Sequence, residues 1–406
     1  MSQRQQFPQP HLKGNETANA QPARRIVVHA HRRPALEANR QRLWLLLGMS
    51  VLFCMISLAA LMQAGSIGSR QTLVRQRPFA PIPALAAAGT FREYPFPRPD
   101  NEVMRPALDH QGRLWFGAMG QNALVVFDPR TQTFQYLTPP HGHHSIMGVL
   151  VAPDDTIWFA EQAANYLGHY DPATRHYQLY PLPWLTVPDP GHPKQVQLLP
   201  SAPNELALDG HGDIWFTEFN ADRLGRLDPR TGQMRQYTLS AQASVQTLYP
   251  YGVTIDRQGT VWFTESGTNQ LGRLDPSTGT LRVFAAPGSH TLLMEVDSDA
   301  QGDIWVTSFT PGLLLRFRPG SGTFTSYLAP ADGRESSAFY GLLVTPAGDV
   351  WVTNVAENVL ARLDVAAQRF LSYHIPKPDS QPLGLVMDGS HALWFTGVNA
   401  VGVMHP

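Results

Sequence analysis

The chain has 406 residues, 43% hydrophobic and 16% charged, with a formal net charge of −1. Such a composition supports a large buried core and excludes wholesale disorder, while the charge balance offers no clustered basic face for nucleic acid. The single cysteine, Cys54, excludes an intramolecular disulfide framework and a Cys-based zinc site.

Residues 1–42 are polar, rich in Gln, His and Arg, and read as a disordered tail. No charged residue occurs from Leu43 to Ser69, and Leu43 to Met62 reads LWLLLGMSVLFCMISLAALM, 20 residues that as a helix match the thickness of a bilayer core. This predicts one transmembrane signal-anchor helix over 43–64. Eight Lys or Arg precede it, against three between Gln63 and Gly89, which keeps the amino terminus cytoplasmic and the rest of the chain outside, in the cell membrane's extracytoplasmic space. A cleaved signal peptide is the competing reading, disfavoured by the long leader and by the lack of a clear Ala-x-Ala site. Residues 65–89, with Pro78, Pro81 and Pro83, read as a linker, and 90–406 as one repeat domain.

Tryptophans stand at 115, 158, 215, 262, 305, 351 and 394, with gaps of 43, 57, 47, 43, 46 and 43 residues. A period near 45 marks a repeated supersecondary unit. Each unit opens with an apolar strand, turns at a pair such as Gln258-Gly259, and enters the Trp strand. A third strand like Leu271-Gly272-Arg273-Leu274 follows, then an Asp-Pro turn such as Asp275-Pro276-Ser277-Thr278, then a fourth strand. Four antiparallel strands per unit and no helical period predict an all-β, seven-bladed β-propeller. The last repeat stops at Met404 without a fourth strand, while Phe91-Arg92-Glu93-Tyr94-Pro95 looks like a fourth strand with nothing before it, so the two ends are expected to pair and close the ring. The tryptophans are expected to fill the wedges between blades and to do no chemistry.

Three residues past each Trp stand Ala118, Glu161, Glu218, Glu265, Ser308, Asn354 and Gly397. If these strand ends surround the channel mouth, three neighbouring blades bring carboxylates into one sector. Two carboxylates about 7 Å apart repel by about 2.4 kcal/mol at an effective dielectric near 20, so the cluster calls for a cation, an ammonium group or a held proton. The other reading is that each Glu accepts hydrogen bonds from its own blade's loop. Oxygen donors without cysteine or paired histidines favour Mg²⁺ or Ca²⁺ over zinc, with Glu161, Glu218, Glu265 and Asn354 as candidate ligands.

The phrase PYGVTIDRQGTVWFTESGTNQLGRLD is similar to the streptogramin lyase, or virginiamycin B lyase, family, and the resemblance spans roughly residues 90–406. It implies a seven-bladed propeller that opens a cyclic depsipeptide by metal-assisted elimination at its ester. The family's chemistry depends on histidines in a Pro-His-Gly phrase, one of them 14 residues before the Glu of Trp-Phe-Thr-Glu. Here the residues 14 before the strand ends are Met104, Met147, Asn204, Tyr251, Met294, Tyr340 and Leu383. Tyr251 occupies the matching place before Glu265, and a tyrosine is a poor base near neutral pH.

The candidate catalytic residues are therefore Tyr251, Glu265 and, from the histidine-bearing loop PPHGHHSIMG, His144. Candidate substrate contacts are Arg105, Tyr340 and Trp184, the last within the insert Pro181–Pro203, read as a lid or partner-binding loop. The expected partner is a small-molecule ester or lactone, or a peptide, taken by a monomeric propeller that opens the bond as a lyase or lactone hydrolase. The rival is a non-catalytic binding or sensor propeller that has lost the histidine. A gluconolactonase-like hydrolase ranks third.

Overall fold

The computed structural model describes residues 81–98, 103–140, 145–189, 192–239, 248–288, 291–329 and 338–406. The tail over 1–42, the anchor over 43–64, His144 and the neighbouring loop histidines lie outside the described residues. Among those described, no helix is long and apolar enough to cross a membrane.

Seven antiparallel sheets, each built on four strands, form a seven-bladed β-propeller, numbered here by their tryptophans from blade 1 (Trp115) to blade 7 (Trp394). Blade 4 shows the unit: Pro250–Ile255, Val261–Glu265, Gln270–Asp275 and Thr280–Ala285, in sequence order from axis to rim. The turn between its first two strands works because Gly259 takes φ +78°, a left-handed conformation that costs glycine little. Blade 7 is assembled from both ends of the domain, with Thr90–Pro95 paired antiparallel to Ala400–His405. Part of the segment read as linker is a strand: Ala84–Ala86 runs parallel to Phe370–Ser372 and adds a fifth strand to the rim of blade 6. The insert read as a loop contains a two-stranded hairpin, Leu185–Asp189 with His192–Leu199.

The two-residue period of the second strand sorts its side chains between neighbours. Trp262 packs in one core with Leu293, Val296 and Phe317 of blade 5, whereas Phe263 packs with Trp215, Leu224 and Tyr237 of blade 3. All seven tryptophans are buried. Five are oriented by an aspartate six residues earlier that accepts from the indole N–H, as in Trp262 Nε1 to Asp256 at 2.8 Å. Arg273 lies over the Trp262 ring.

Phe263 also explains the glycine of the third strand. A Cβ on Gly272 would stand 2.1 Å from the Phe263 ring, and Gly168, Gly225 and Gly402 meet Phe159, Phe216 and Phe395 in the same way. Blade 5 carries the reciprocal choice, Val306 opposite Leu315.

At the axis, the first strands of blades 2 to 6 bulge, so that in blade 4 Pro250 pairs with Glu265 but Val253 pairs with Phe263. The amide freed by the bulge is taken up by a threonine. Gly252 N donates to Thr264 Oγ1 at 2.9 Å, and that hydroxyl donates to Met294 O of blade 5 at 2.6 Å. Thr217, Thr307, Thr353 and Thr396 repeat the contact, the last bonding Met104 O of blade 1. Gly117 and Ala160 hold the equivalent places in blades 1 and 2.

Two outcomes follow for stability. Thr264→Val keeps the volume but bares a buried amide and a buried carbonyl, and chemical denaturation is expected to show a loss of about 1–3 kcal/mol for each group left bare. Gly272→Leu is expected to cost about 1–3 kcal/mol through overpacking, with part of that recovered in the Gly272→Leu, Phe263→Val double variant. A double variant no more stable than the single one would refute the pairing.

Candidate functional site

The lumen is built from the bulged first strands rather than from the ends of the second strands. Its lining is Met104, Arg105, Met147, Asn204, Glu205, Tyr251, Glu295 and Tyr340. Four of the blades place glycine immediately after the positions occupied by Met104 and Tyr251 in blades 1 and 4. A Cβ on Gly148, Gly252, Gly341 or Gly384 would stand 2.1–2.7 Å from the next blade's backbone. The other three blades place Arg105, Glu205 and Glu295 there. Neighbouring backbones thus close the wall at four points, and three charged side chains line the space that remains.

Arg105 Nη1 lies 3.6 Å from Glu295 Oε2. Burial alone would lower the Arg105 pKa, yet Glu295, Glu205 and Asp297 carry it above its ordinary value. Burial, reinforced by Glu295 and opposed by Arg105, pushes the Glu205 carboxyl up to about 8. Burial raises Glu295 as well, against the pull of Arg105 and with a push from Asp297. Asp297 is itself held by the backbone amides of Ser298 at 2.8 Å and Val344 at 3.1 Å.

The Tyr251 and Tyr340 hydroxyls bond to each other in this buried space, and Tyr340 also points its hydroxyl at Met104 Sδ. Burial, the facing phenol and Glu295 raise Tyr251 well above the ordinary range. Burial and Glu295 raise Tyr340, although the bond from Tyr251 opposes the shift. Both tyrosines are therefore protonated over the whole physiological range. That is the state of a hydrogen-bond donor, the reverse of what a base requires.

The structure brings Tyr251, Tyr340 and Arg105 together but leaves the strand-end glutamates apart. Glu265 shares the face of Phe263 and turns away from the axis into its own blade, where Thr268 Oγ1 donates to it at 2.9 Å. Burial raises its carboxyl to about 7, with Thr268 pulling down and Asp222 pushing up. Glu218 meets Arg223 at 3.1 Å and accepts from Gln236 at 2.7 Å, and Glu161 lies against the Tyr166 phenol. Each of these is buried and engaged within its own blade. Asn354 Oδ1 accepts from the Ala338 and Glu357 amides.

Of the three strand-end glutamates, Glu265 accepts from the turn after its strand, whereas Glu161 and Glu218 are met by side chains on neighbouring strands of their own blades. Among the described residues, no group of three or more His, Cys, Asp or Glu side chains is arranged to hold a metal ion. The donor set proposed for Mg²⁺ or Ca²⁺ does not fit a single ion. Trp184 is half exposed beside the hairpin, away from the lumen lining.

Sequence reasoning passed over Glu205 and Glu295. Their signal was present: aligning the seven repeats one residue beyond the Met and Tyr positions gives four glycines, one Arg and two Glu, and charge where glycine is the rule marks a departure from the needs of the fold.

A model of the virginiamycin B lyase family matches residues 74–332 and, in a second register of the repeats, 191–405. No curated protein matches the chain. Among solved structures, the virginiamycin B lyase from Staphylococcus aureus is 22% identical, covers 79% of this chain and 100% of its own, and superposes with a TM-score of 0.68. A streptogramin B lyase is also 22% identical, over 78% of this chain and 97% of its own, with a TM-score of 0.68. The extracellular domain of a putative hybrid two-component system from B. thetaiotaomicron is 18% identical, over 75% of this chain and 40% of its own, with a TM-score of 0.58. These structural likenesses carry the fold, and the family model, matching well over half the length, carries the kinship: the chain belongs to the virginiamycin B lyase family.

Proposed function

We propose that the chain is a membrane-tethered, extracytoplasmic binding propeller whose axial mouth takes a small ester, lactone or peptide ligand without opening it. The observation that carries this reading is the lumen itself. Its tyrosines are held protonated against each other, and the space beside them, about 10 Å³, has room for about one water-sized group. Opening an ester there by elimination would require a base, the carbonyl and the neighbouring carbon to meet in that space. A single polar group of a ligand can enter it, with the remainder of the ligand resting on the mouth.

The tether expected over 43–64 supports a role outside the cytoplasm, as does the same fold in the extracellular domain of a putative hybrid two-component system. No step is drawn through a metal, since the oxygen donors present are dispersed among separate blades.

The lyase reading rests on family membership and on Glu265, whose carboxyl near 7 is able to exchange a proton at neutral pH. Full-length protein in detergent, mixed with a streptogramin-type cyclic depsipeptide with and without Mg²⁺, separates the two. The ring is expected to stay closed by reversed-phase chromatography, while intrinsic fluorescence reports binding that Arg105→Ala weakens about tenfold, or about 1.4 kcal/mol. Metal-dependent accumulation of the opened product, lost in Glu265→Gln, would replace binding with catalysis. The orientation is checked separately: protease added outside intact cells expressing the full chain is expected to reach the propeller.

A further inference from the structure

We infer that Glu205 and Glu295 form a receptor for one ammonium group, so that the ligand entering the lumen presents a primary amine to it. This deepens the binding reading above and rests on it for the approach through the axial mouth.

Two observations of geometry carry the inference. First, both carboxylates are more than nine-tenths buried in the lining of the cavity, and Glu295 is left with an oxygen that no donor reaches. The Glu205 carboxylate is met only by the Leu206 backbone amide, and Glu295 Oε2 has no hydrogen-bond partner, its ion pair with Arg105 lying at 3.6 Å, beyond hydrogen-bond reach. A buried carboxylate left without donors is costly, and native structures supply the missing donor from water, an ion or a ligand. Second, the charges do not balance. One guanidinium, Arg105, faces three carboxylates, Glu205, Glu295 and Asp297; backbone amides meet Asp297 twice and Glu205 once.

The size and chemistry of the missing group are then constrained. An ammonium is about as large as a water molecule, matching the space available. Its three N–H donors suit two carboxylates and the Tyr251 and Tyr340 hydroxyl oxygens that line the same cavity. A divalent metal is disfavoured, because it needs more oxygen donors than these and would stand close to the Arg105 guanidinium. In the free protein a proton meets part of the deficit, in keeping with the upward displacement of Glu205. The amine and that proton therefore compete. Charged and titratable groups facing the pair are Arg105, Asp297, Tyr251 and Tyr340, of which Arg105 and the tyrosines keep their protons near pH 8.

The probe is methylammonium chloride, compared with tetramethylammonium chloride at equal ionic strength. Full-length protein in detergent, labelled with ¹³C at the glutamate carboxyl carbons, is titrated with pH by NMR, and Glu205→Gln and Glu295→Gln assign the signals. Methylammonium is expected to lower the apparent pKa of Glu205 by about one unit, a tenfold change in proton affinity, whereas tetramethylammonium, too large and without N–H donors, leaves it in place. Glu295→Gln is expected to remove the methylammonium effect while its circular dichroism matches the parent. Should that variant fail to fold, the contrast between the two salts in the parent protein decides alone.

Equal shifts with both salts would reduce the effect to screening and overturn the inference. No shift with either would overturn it too, leaving a buried water as the occupant. A protein that binds the depsipeptide but ignores methylammonium loses only this inference. One that opens the depsipeptide yet responds to methylammonium loses only the non-catalytic reading.

Discussion

A threonine hydroxyl accepting one hydrogen bond and donating another is the contact on which the axial architecture depends. On the inner strands an amide is left that the sheet does not use, and the next blade presents a carbonyl at the same height. In five blades one hydroxyl satisfies both, as Thr264 does for Gly252 and Met294. A hydroxyl has one proton and two lone pairs, so this use suits its capacity. The contact also fixes how far apart adjacent inner strands stand, and thereby the width of the lumen. Gly117 lacks the group, and the Ile146 carbonyl of blade 2 lies only 2.2 Å from where a Cβ would be. The seam between blades 1 and 2 is thus brought close by the absence of a side chain.

The same phrase that places the threonine displaces the acid. Along Val261–Glu265, Trp262 and Thr264 face blade 5, while Phe263 and Glu265 face blade 3. A residue one step beyond the threonine cannot share its direction, because successive side chains of a strand alternate. Glu161, Glu218 and Glu265 therefore find their partners on the strands and turns of their own blades, and the charge at the axis comes from a different strand. The lumen holds one arginine among three carboxylates, an arrangement that leaves Glu295 with an oxygen that no donor reaches.

The tryptophan spacing, the Asp-Pro turns and the alternating strands made the seven-bladed ring legible from the sequence, since these are local signals repeated with a constant period. The wedge-filling role of Trp262 and its six equivalents was legible for the same reason. The site was read less well. Tyr251, Tyr340 and Arg105 were found by counting back from the strand ends, and they do meet in the lumen. Counting forward to Glu161, Glu218 and Glu265 assumed that neighbouring strand ends point at the axis, which a count of residues cannot reveal without the pleat. Glu205 and Glu295 went unnoticed because each is a single substitution for glycine in an otherwise regular repeat. The threonine of Trp-Phe-Thr was visible in every alignment of the repeats, but its partners come from a bulge and from the following blade, and neither is encoded within one unit.

Blade 7 has one more consequence, which concerns synthesis. Its third strand, Ala400–His405, is flanked by Thr90–Pro95 on one side and Leu393–Gly397 on the other. The earliest strand of that blade to emerge from the ribosome must wait for its partner until the other six blades have been made. Until Ala400–His405 is made, Thr90–Pro95 remains an unpaired strand edge, so the ring cannot close before then and the interval is when a chaperone has most to guard.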